Sequence, residues 1–339
     1  MSIARKAGLG LAGLFFLTGV GLAGYLGFAV ATADSRLTFP DVPMPEVSAS
    51  TDPAVIARGR YLVYGPAHCQ QCHGLDDRNA VALLAQETPL SGGMEFAMGP
   101  IGTSWAANLT PDPETGIGGR SDGELARAIR SGVMHDGRLS MLMNFSGARL
   151  SDQDLVAVIS FLRSQPPVKR AVPPGQTGLL MKALLPVTPL TPRATAPAHV
   201  PESDSPSVER GEYLVEHAAM CADCHSPWDM ATFTPMEPRL GGSQPDPSHG
   251  DDTDYEYVAP NLTSSPVGIT GKLSEDQFID RIRQGRVHAS SIMPWENLQR
   301  ATDADLRSIY RYLRTVPPSD RDAGPSRRKK GWQPGDPVE

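Results

Sequence analysis

Cys69-Gln70-Gln71-Cys72-His73 returns 152 residues later as Cys221-Ala222-Asp223-Cys224-His225. Two cysteines three positions apart can each add a thiol across a vinyl group of one haem, and the histidine that follows meets the iron from below. A single C-x-x-C would equally suit a redox dithiol or half of a zinc site. Here all four cysteines of the 339-residue chain are used in the two motifs, which leaves no further pair for a zinc site. The motifs point to two covalently bound haems c.

Length and composition agree with a repeated cofactor domain. The chain suits about two domains of roughly 100–200 residues each. Its 32 prolines and 33 glycines predict long irregular loops between few helices, with the cofactor serving as much of the core. A net charge of −7 with mixed signs argues against general nucleic-acid binding. The motif implies that the chain crosses a membrane, because haem is attached to it outside the cytoplasm. At the N-terminus, Arg5 and Lys6 precede a charge-free apolar run from Ala7 to about Ala33. That run exceeds both the roughly 20 residues that span a bilayer and the roughly 7–15 of a cleaved signal core. Residues 1–33 read as an uncleaved anchor with its positive flank in the cytoplasm and everything after it outside. The alternative is a signal peptide cut after Ala31 or Ala33, which would leave a secreted periplasmic protein.

Residues 34–51 are proline-rich and polar, and read as a tether. Asp52 as N-cap and Pro53 at the first helical position open a helix to about Tyr64, with Ala57, Tyr61 and Leu62 on its apolar face. After His73 some 35 residues lack periodicity and read as a wrap around one haem edge. Ser121-Asp122-Gly123-Glu124 is a capping box for a helix through Arg130 that Gly132 stops. Ser151 to Asp154 caps another, with Leu155, Val158, Ile159 and Leu162 at helical spacing, and Pro166-Pro167 ends it.

The same order then recurs. Arg58-Gly59-Arg60-Tyr61-Leu62 returns as Arg210-Gly211-Glu212-Tyr213-Leu214, and Asn108-Leu109-Thr110 as Asn261-Leu262-Thr263. The capping segments return at Ser274–Gln277 and Thr302–Asp305, the apolar stripe as Leu306, Ile309, Tyr310 and Leu313, and the stop as Pro317-Pro318. All offsets lie between 150 and 153, a register that predicts tandem copies of one domain over residues 52–167 and 207–318. Residues 168–206 between them read as a proline-rich surface linker, in which only Gly178 to Leu185 could form a short apolar turn or helix. The alternative role for Leu179, Leu180, Met181, Leu184 and Leu185 is docking on a partner or membrane. Residues 319–339, with Arg327-Arg328-Lys329-Lys330, read as a polar, solvated, disordered tail.

The second axial ligand decides between electron transfer and chemistry at the iron. Met293-Pro294-Trp295 stands in a loop nine residues before Thr302. A thioether from Met293 would raise the reduction potential and close the iron to small molecules. In the first copy Met143, eight residues before Ser151, matches that spacing best; Met141 is the alternative and Met134 lies upstream. His135 and His288 occupy similar places in the two copies and are rival ligands, better read as residues at a helix end or haem edge. His68, His199, His217 and His249 show no ligand spacing.

On these residues both halves resemble class I cytochrome c domains. The resemblance implies an all-α fold, two tandem cytochrome c-like domains of few short helices around covalent haem, after an N-terminal transmembrane helix. In that family the first and last helices cross at a small residue facing an aromatic, which implies Gly59 with Phe161 and Gly211 with Tyr312. Ala107-Asn108-Leu109-Thr110-Pro111-Asp112, Gly137-Arg138-Leu139, Met293-Pro294-Trp295 and the run from Cys221 to Pro227 are similar to segments of the cytochrome subunits of bacterial periplasmic membrane dehydrogenases, such as alcohol or aldehyde dehydrogenases. Those subunits commonly carry three haems where this chain has two motifs, and this chain has no proline after its first axial methionine. The resemblance implies an electron relay on the periplasmic face of a bacterial membrane. The donor would be a membrane dehydrogenase or quinol-oxidising subunit, and the acceptor an oxidase or a soluble cytochrome or copper protein. The rival readings are a haem enzyme of peroxidase or thiosulfate-oxidising type, which needs an open or displaceable sixth site, and a two-haem subunit of a haem-copper oxidase.

Overall fold

The computed structural model describes residues 3–74, 84–147, 149–192, 205–229, 234–245, 254–288, 291–333 and 336. Helix α1 (Ile3–Arg36) carries the apolar run. Its 34 residues rise about 51 Å at about 1.5 Å each, more than the roughly 30 Å of a bilayer core. Phe16 to Arg36 is long and apolar enough to cross a membrane, and Phe16, Leu17, Val20, Leu22 and Phe28 are exposed.

The helices begin where the capping residues require. Asp52 accepts the Ala54 N–H at 2.8 Å and starts α2 (Pro53–Tyr64). After α3 (Gln70–His73), Ser121 and Glu124 exchange hydrogen bonds at the start of α4 (Asp122–Ser131), which Gly132 ends in the left-handed region at φ 71°. Helix α5 (Met141–Ser146) follows, and Ser151 caps α6 (Asp152–Ser164). A short helix, α7 (Leu179–Leu184), forms within the apolar stretch of the linker. The order then recurs: α8 (Val208–Tyr213) runs into a π turn at Leu214–Ala218, followed by α9 (Cys221–His225), α10 (Ile269–Lys272), α11 (Glu275–Gln284) with the Ser274–Gln277 box, α12 (Trp295–Leu298) and α13 (Asp303–Leu313) capped by Thr302.

In each half the first and last of these helices cross at a glycine. A Cβ on Gly59 would overlap the Ala157 carbonyl and come within 2.8 Å of the Phe161 Cβ; a Cβ on Gly211 would overlap the Ser308 carbonyl and come within 2.7 Å of the Tyr312 Cβ. Only a residue without a side chain lets the backbones approach so closely.

The halves then join through a reciprocal clasp. Tyr61 on α2 donates its hydroxyl to Asp305 on α13 at 2.6 Å, and Tyr213 on α8 donates to Asp154 on α6 at 2.7 Å. Each carboxylate is also gripped by an arginine of its own half: Arg210 reaches Asp305 at 2.8 and 3.1 Å, and Arg58 reaches Asp154 at 3.0 and 3.1 Å. Burial, then the adjacent carboxylate charge, holds both phenols well above the ordinary tyrosine range. One apolar core runs through both halves, from Leu62, Leu155 and Phe161 to Leu214, Leu306 and Ile309.

Three segments depart from the sequence reading. Residues 34–51 are irregular but laid along the first half: the Phe39 N–H bonds the Gly137 carbonyl at 2.7 Å, the Ala49 N–H bonds the Asp122 carboxylate at 2.7 Å, and Leu37 is buried. An extended backbone with free N–H groups finds acceptors on the surface it passes. The linker from Val168 to Leu190 is held likewise, its Gln176–Thr177 strand (β3) extending a sheet made by β1 (Glu95–Ala97) and β2 (Gly102–Trp105); residues 193–204 lie outside the described residues. The basic tail is laid on the second half through its two arginines, while Lys329 and Lys330 stay exposed. After two-residue strands β4 (Trp228–Asp229) and β5 (Thr234–Pro235), β6 (Tyr255–Tyr257) pairs antiparallel with β7 (Arg327–Lys329). There Arg328 bonds Glu256 at 2.7 Å with both side chains largely buried, and Arg327 lies 3.3 Å from the Tyr255 ring centroid. Cation–π contact and ion pairing hold these two arginines against the second half.

Candidate functional site

Both cysteine–histidine segments are built by the same local rules. The residue before the first cysteine takes a left-handed conformation in each copy, φ 38° at His68 and 50° at Met220, which turns the chain sharply into a short helix, α3 or α9. Cys69 stands at the N-cap of α3, with Cys72 and His73 inside it, and Cys221, Cys224 and His225 all lie in α9. The histidine carbonyl then receives a glycine N–H, from Gly92 at 2.8 Å and Gly242 at 2.8 Å. Both glycines have positive φ, and a Cβ on Gly92 would overlap the Ala106–Ala107 backbone.

The ring of each histidine is oriented through Nδ1, which donates to the Ala107 carbonyl at 2.7 Å in the first half and to the Pro260 carbonyl at 2.8 Å in the second. Burial depresses the basicity of both rings, so each is the neutral tautomer with its proton on Nδ1 and a free lone pair on Nε2. That is the form in which imidazole binds iron, with the second nitrogen held by a backbone acceptor. The accepting carbonyls precede the repeated asparagines. Asn108 Oδ1 accepts from the Thr110 N–H at 2.9 Å and Asn261 Oδ1 from the Thr263 N–H at 2.8 Å. Their amides donate to the strap after the last helix, Asn108 to the Val168 carbonyl at 2.8 Å and Asn261 to the Ser319 carbonyl at 2.7 Å. The Asn-Leu-Thr repeat thus fixes the carbonyl that fixes the histidine.

The thiols bear on the rival chemistries. Burial pushes Cys69 up to about 12, with Cys72 adding to it; burial pushes Cys221 up to about 12 as well, with Glu216, Cys224 and Asp223 adding to it. A redox dithiol needs one thiol lowered instead. No cluster of three histidine, cysteine or acidic side chains suited to a metal ion occurs among the described residues, which disfavours zinc. Two cysteines and a backbone-held imidazole in each turn fit covalent haem: thioethers from the cysteines and an Nε2 bond to iron.

Met293 is half-buried against the main core, just before α12. Met143 is half-buried in the first turn of α5, whereas Met141 packs against the cluster of Ala33, Leu37, Val133, Leu139, Met181 and Leu185. His135 and His288 are both exposed. His68 bonds the Pro66 carbonyl at 3.0 Å, and His217 packs beside Tyr213 with ring centroids 6.1 Å apart. His199 and His249 lie outside the described residues.

Each methionine segment also touches the other half's motif. Beyond Met143, Phe145 meets Trp228 edge-on at 6.2 Å, and Arg149 Nη2 lies 3.3 Å from Asp223, between the second pair of cysteines. Beyond Met293, Asn297 donates to the Tyr64 carbonyl at 2.8 Å and Arg300 to Gln70 Oε1, between the first pair, at 3.2 Å. Sequence reasoning missed these cross-contacts and the tyrosine clasp. The available signal was that Tyr61 and Tyr213, Asp154 and Asp305, and Arg149 and Arg300 recur in register, which an apolar-face reading of α2 does not require.

No family model matches the chain. It is 32% identical over 283 residues to the cytochrome c subunit of a quinone alcohol dehydrogenase from Gluconacetobacter polyoxogenes, a match covering 79% of this chain and 57% of that protein. It is 27% identical over 292 residues to a fructose dehydrogenase cytochrome subunit from Gluconobacter japonicus, covering 82% and 55%. The chain thus spans little more than half the length of those dehydrogenase subunits. A diheme cytochrome c-type from Cereibacter sphaeroides is 30% identical over 285 residues, covering 83% of this chain and 92% of that protein. With that match, and with both cysteine–histidine turns in place, the chain belongs to the c-type cytochrome family that includes this diheme protein and the dehydrogenase cytochrome subunits.

Proposed function

We propose that the chain is a membrane-anchored two-haem electron carrier on the periplasmic face of a bacterial membrane. In this reading residues 52–167 and 207–318 are tandem cytochrome c domains, Cys69, Cys72, Cys221 and Cys224 hold the two haems, and His73 with Met143 and His225 with Met293 are the axial ligands. The observation that carries it is the twice-built histidine, tied by Nδ1 to a backbone carbonyl beside two cysteines. When bound, each haem supplies a one-electron iron couple. The protein's part is to orient the ring nitrogen, exclude water and hold the halves rigidly together, so that little rearranges when charge moves. Packing of Met141 into the α1 cluster favours Met143 as the first-half ligand, and the exposure of His135 and His288 disfavours them as rivals. Burial of Ala29, Ala33 and Leu37 at the end of α1 makes that helix part of the folded protein and favours an anchor over a discarded signal.

By its likeness to dehydrogenase cytochrome subunits, the donor is a membrane dehydrogenase or quinol-oxidising subunit. The acceptor is an oxidase or a soluble cytochrome or copper protein. Carbon monoxide binding to the reduced full-length protein tests the relay against a haem enzyme: neither iron should bind it rapidly, and peroxide should not turn over. Fast binding at either iron would contradict two closed sites. Purification in mild detergent should bring down dehydrogenase chains, and recovery of copper-oxidase subunits alone would reassign the donor and acceptor.

A further inference from the structure

The two attachment segments share a backbone and differ in charge. Between the cysteines the first holds Gln70 and Gln71, the second Ala222 and Asp223. Each receives an arginine from the opposite half, but the two arginines meet different groups. Arg149 pairs with the Asp223 carboxylate at 3.3 Å, the two side chains 16% and 11% exposed, so that its charge is balanced. Arg300, its counterpart 151 residues on, donates to the Tyr64 carbonyl at 3.2 Å, to Gln70 Oε1 at 3.2 Å and to the Leu84 carbonyl at 2.7 Å. All three acceptors are neutral, and Gln70 is fully buried.

Among the described residues the surrounding charges leave this difference in place, the Arg300 charge acting on Glu296 without a direct bond to it. Near the first segment, Arg60 pairs with Glu87 at 2.8 Å, and Asp303 and Glu296, the carboxylates nearest along the chain to Arg300, are held by Arg283 at 2.5 Å and by Arg286 at 2.7 Å. Among the described residues no carboxylate pairs with Arg300. Near the second segment Glu216 is taken by Arg239 and by the Tyr312 hydroxyl, and both Glu216 and Asp223 act on the Cys221 sulfur. At Cys69 the corresponding neighbour is the other thiol, Cys72.

We propose that Arg300 makes the haem site of the first half the stronger electron acceptor, so that an electron entering through the second half comes to rest in the first. The inference rests on the two-haem reading above. Reduction of either site adds one electron and moves no bond or proton. A fixed cation favours the reduced form, and carboxylates favour the oxidised form. With histidine and methionine on both irons, axial ligation does not set the order and local charge does. One unbalanced charge at short range in a partly dehydrated site is worth on the order of tenfold in such an equilibrium. The first half is also the one seated on α1 through Val133, Leu139 and Met141, so this order sends the electron toward the membrane.

The test is an optical redox titration of the full-length haem-loaded protein in detergent, after its mass has confirmed two haems. Arg300→Gln should lower the upper of two waves by about a tenfold change in the equilibrium and leave the lower wave in place. Arg300→Lys, which keeps the charge and loses the fork, should restore the upper wave. Asp223→Asn should raise the lower wave, and it decides the question alone if the Arg300 variants fail to assemble. Movement of the lower wave by Arg300→Gln, movement of neither, or movement of the upper wave by Asp223→Asn would overturn the proposed order. A wild-type mass with one haem would instead remove the two-haem reading beneath it.

Discussion

In the first half Gly59 lies on Ala157, Tyr61 crosses to Asp305 and Arg58 grips Asp154; in the second half Gly211 lies on Ser308, Tyr213 crosses to Asp154 and Arg210 grips Asp305. The halves part company at their margins. The first is packed against α1 and α7, whereas the second is edged by its own basic tail, and Arg58 is 25% exposed where Arg210 is 6% exposed. What recurs builds the cysteine–histidine turn and the interface between halves. What does not recur sets what each half touches and how strongly its charges act.

The largest break in this symmetry should come from the cysteines. Cys69→Ala with Cys72→Ala should remove one haem and most of the folded yield, because a loop-rich half has little core without its cofactor. The shared core makes the second half suffer too. Haem staining and intact mass measure both effects, and normal yield of a one-haem protein would show the halves to be independent. Next in size, Asp305→Ala should cost about 3–5 kcal/mol by stranding the buried Arg210, and Asp154→Ala less, because Arg58 reaches water. Urea unfolding of the haem-loaded protein gives both values, and equal losses would contradict the difference in burial.

Tyr61→Phe and Tyr213→Phe should each cost about 1–2 kcal/mol by the same assay. Unequal losses would break the reciprocity of the clasp. The smallest effect is in pH. Burial alone would raise the Asp305 carboxyl, but the Arg210 hydrogen bonds and charge, with the Tyr61 hydroxyl, hold it below the ordinary range. Its contribution is therefore complete above the ordinary value of 3.8 and is lost as pH falls through the lower folded value. Tyr61 and Tyr213 are raised, so theirs is complete below 10.0 and lost as pH climbs through the folded values. Stability followed by circular dichroism should fall at both ends, and Asp305→Asn should flatten the acid limb and, by removing the charge beside Tyr61, soften the alkaline one as well.

Much of this was legible in the sequence because it is local. Ser121 with Glu124, Asp52 with Pro53 and Gly132 fix helix ends within a few residues, and the cysteine–histidine turns need no distant partner. The clasp was not legible, since Tyr61 and Asp305 stand 244 residues apart and each also suits an ordinary helix face. The tail misled because a run of basic residues is usually solvated; Arg328 is instead neutralised by Glu256, 72 residues away. Strands of two to four residues such as Glu95–Ala97 and Gly102–Trp105 are too short for any periodicity to show.

The central claim is that each half of this chain holds one covalently bound haem. Intact mass of the mature protein, exported by a bacterium with working haem-attachment machinery, tests it directly. The account predicts two porphyrin adducts, one lost with Cys69→Ala and Cys72→Ala and the other with Cys221→Ala and Cys224→Ala. A mature chain carrying no adduct, or one only, would contradict it.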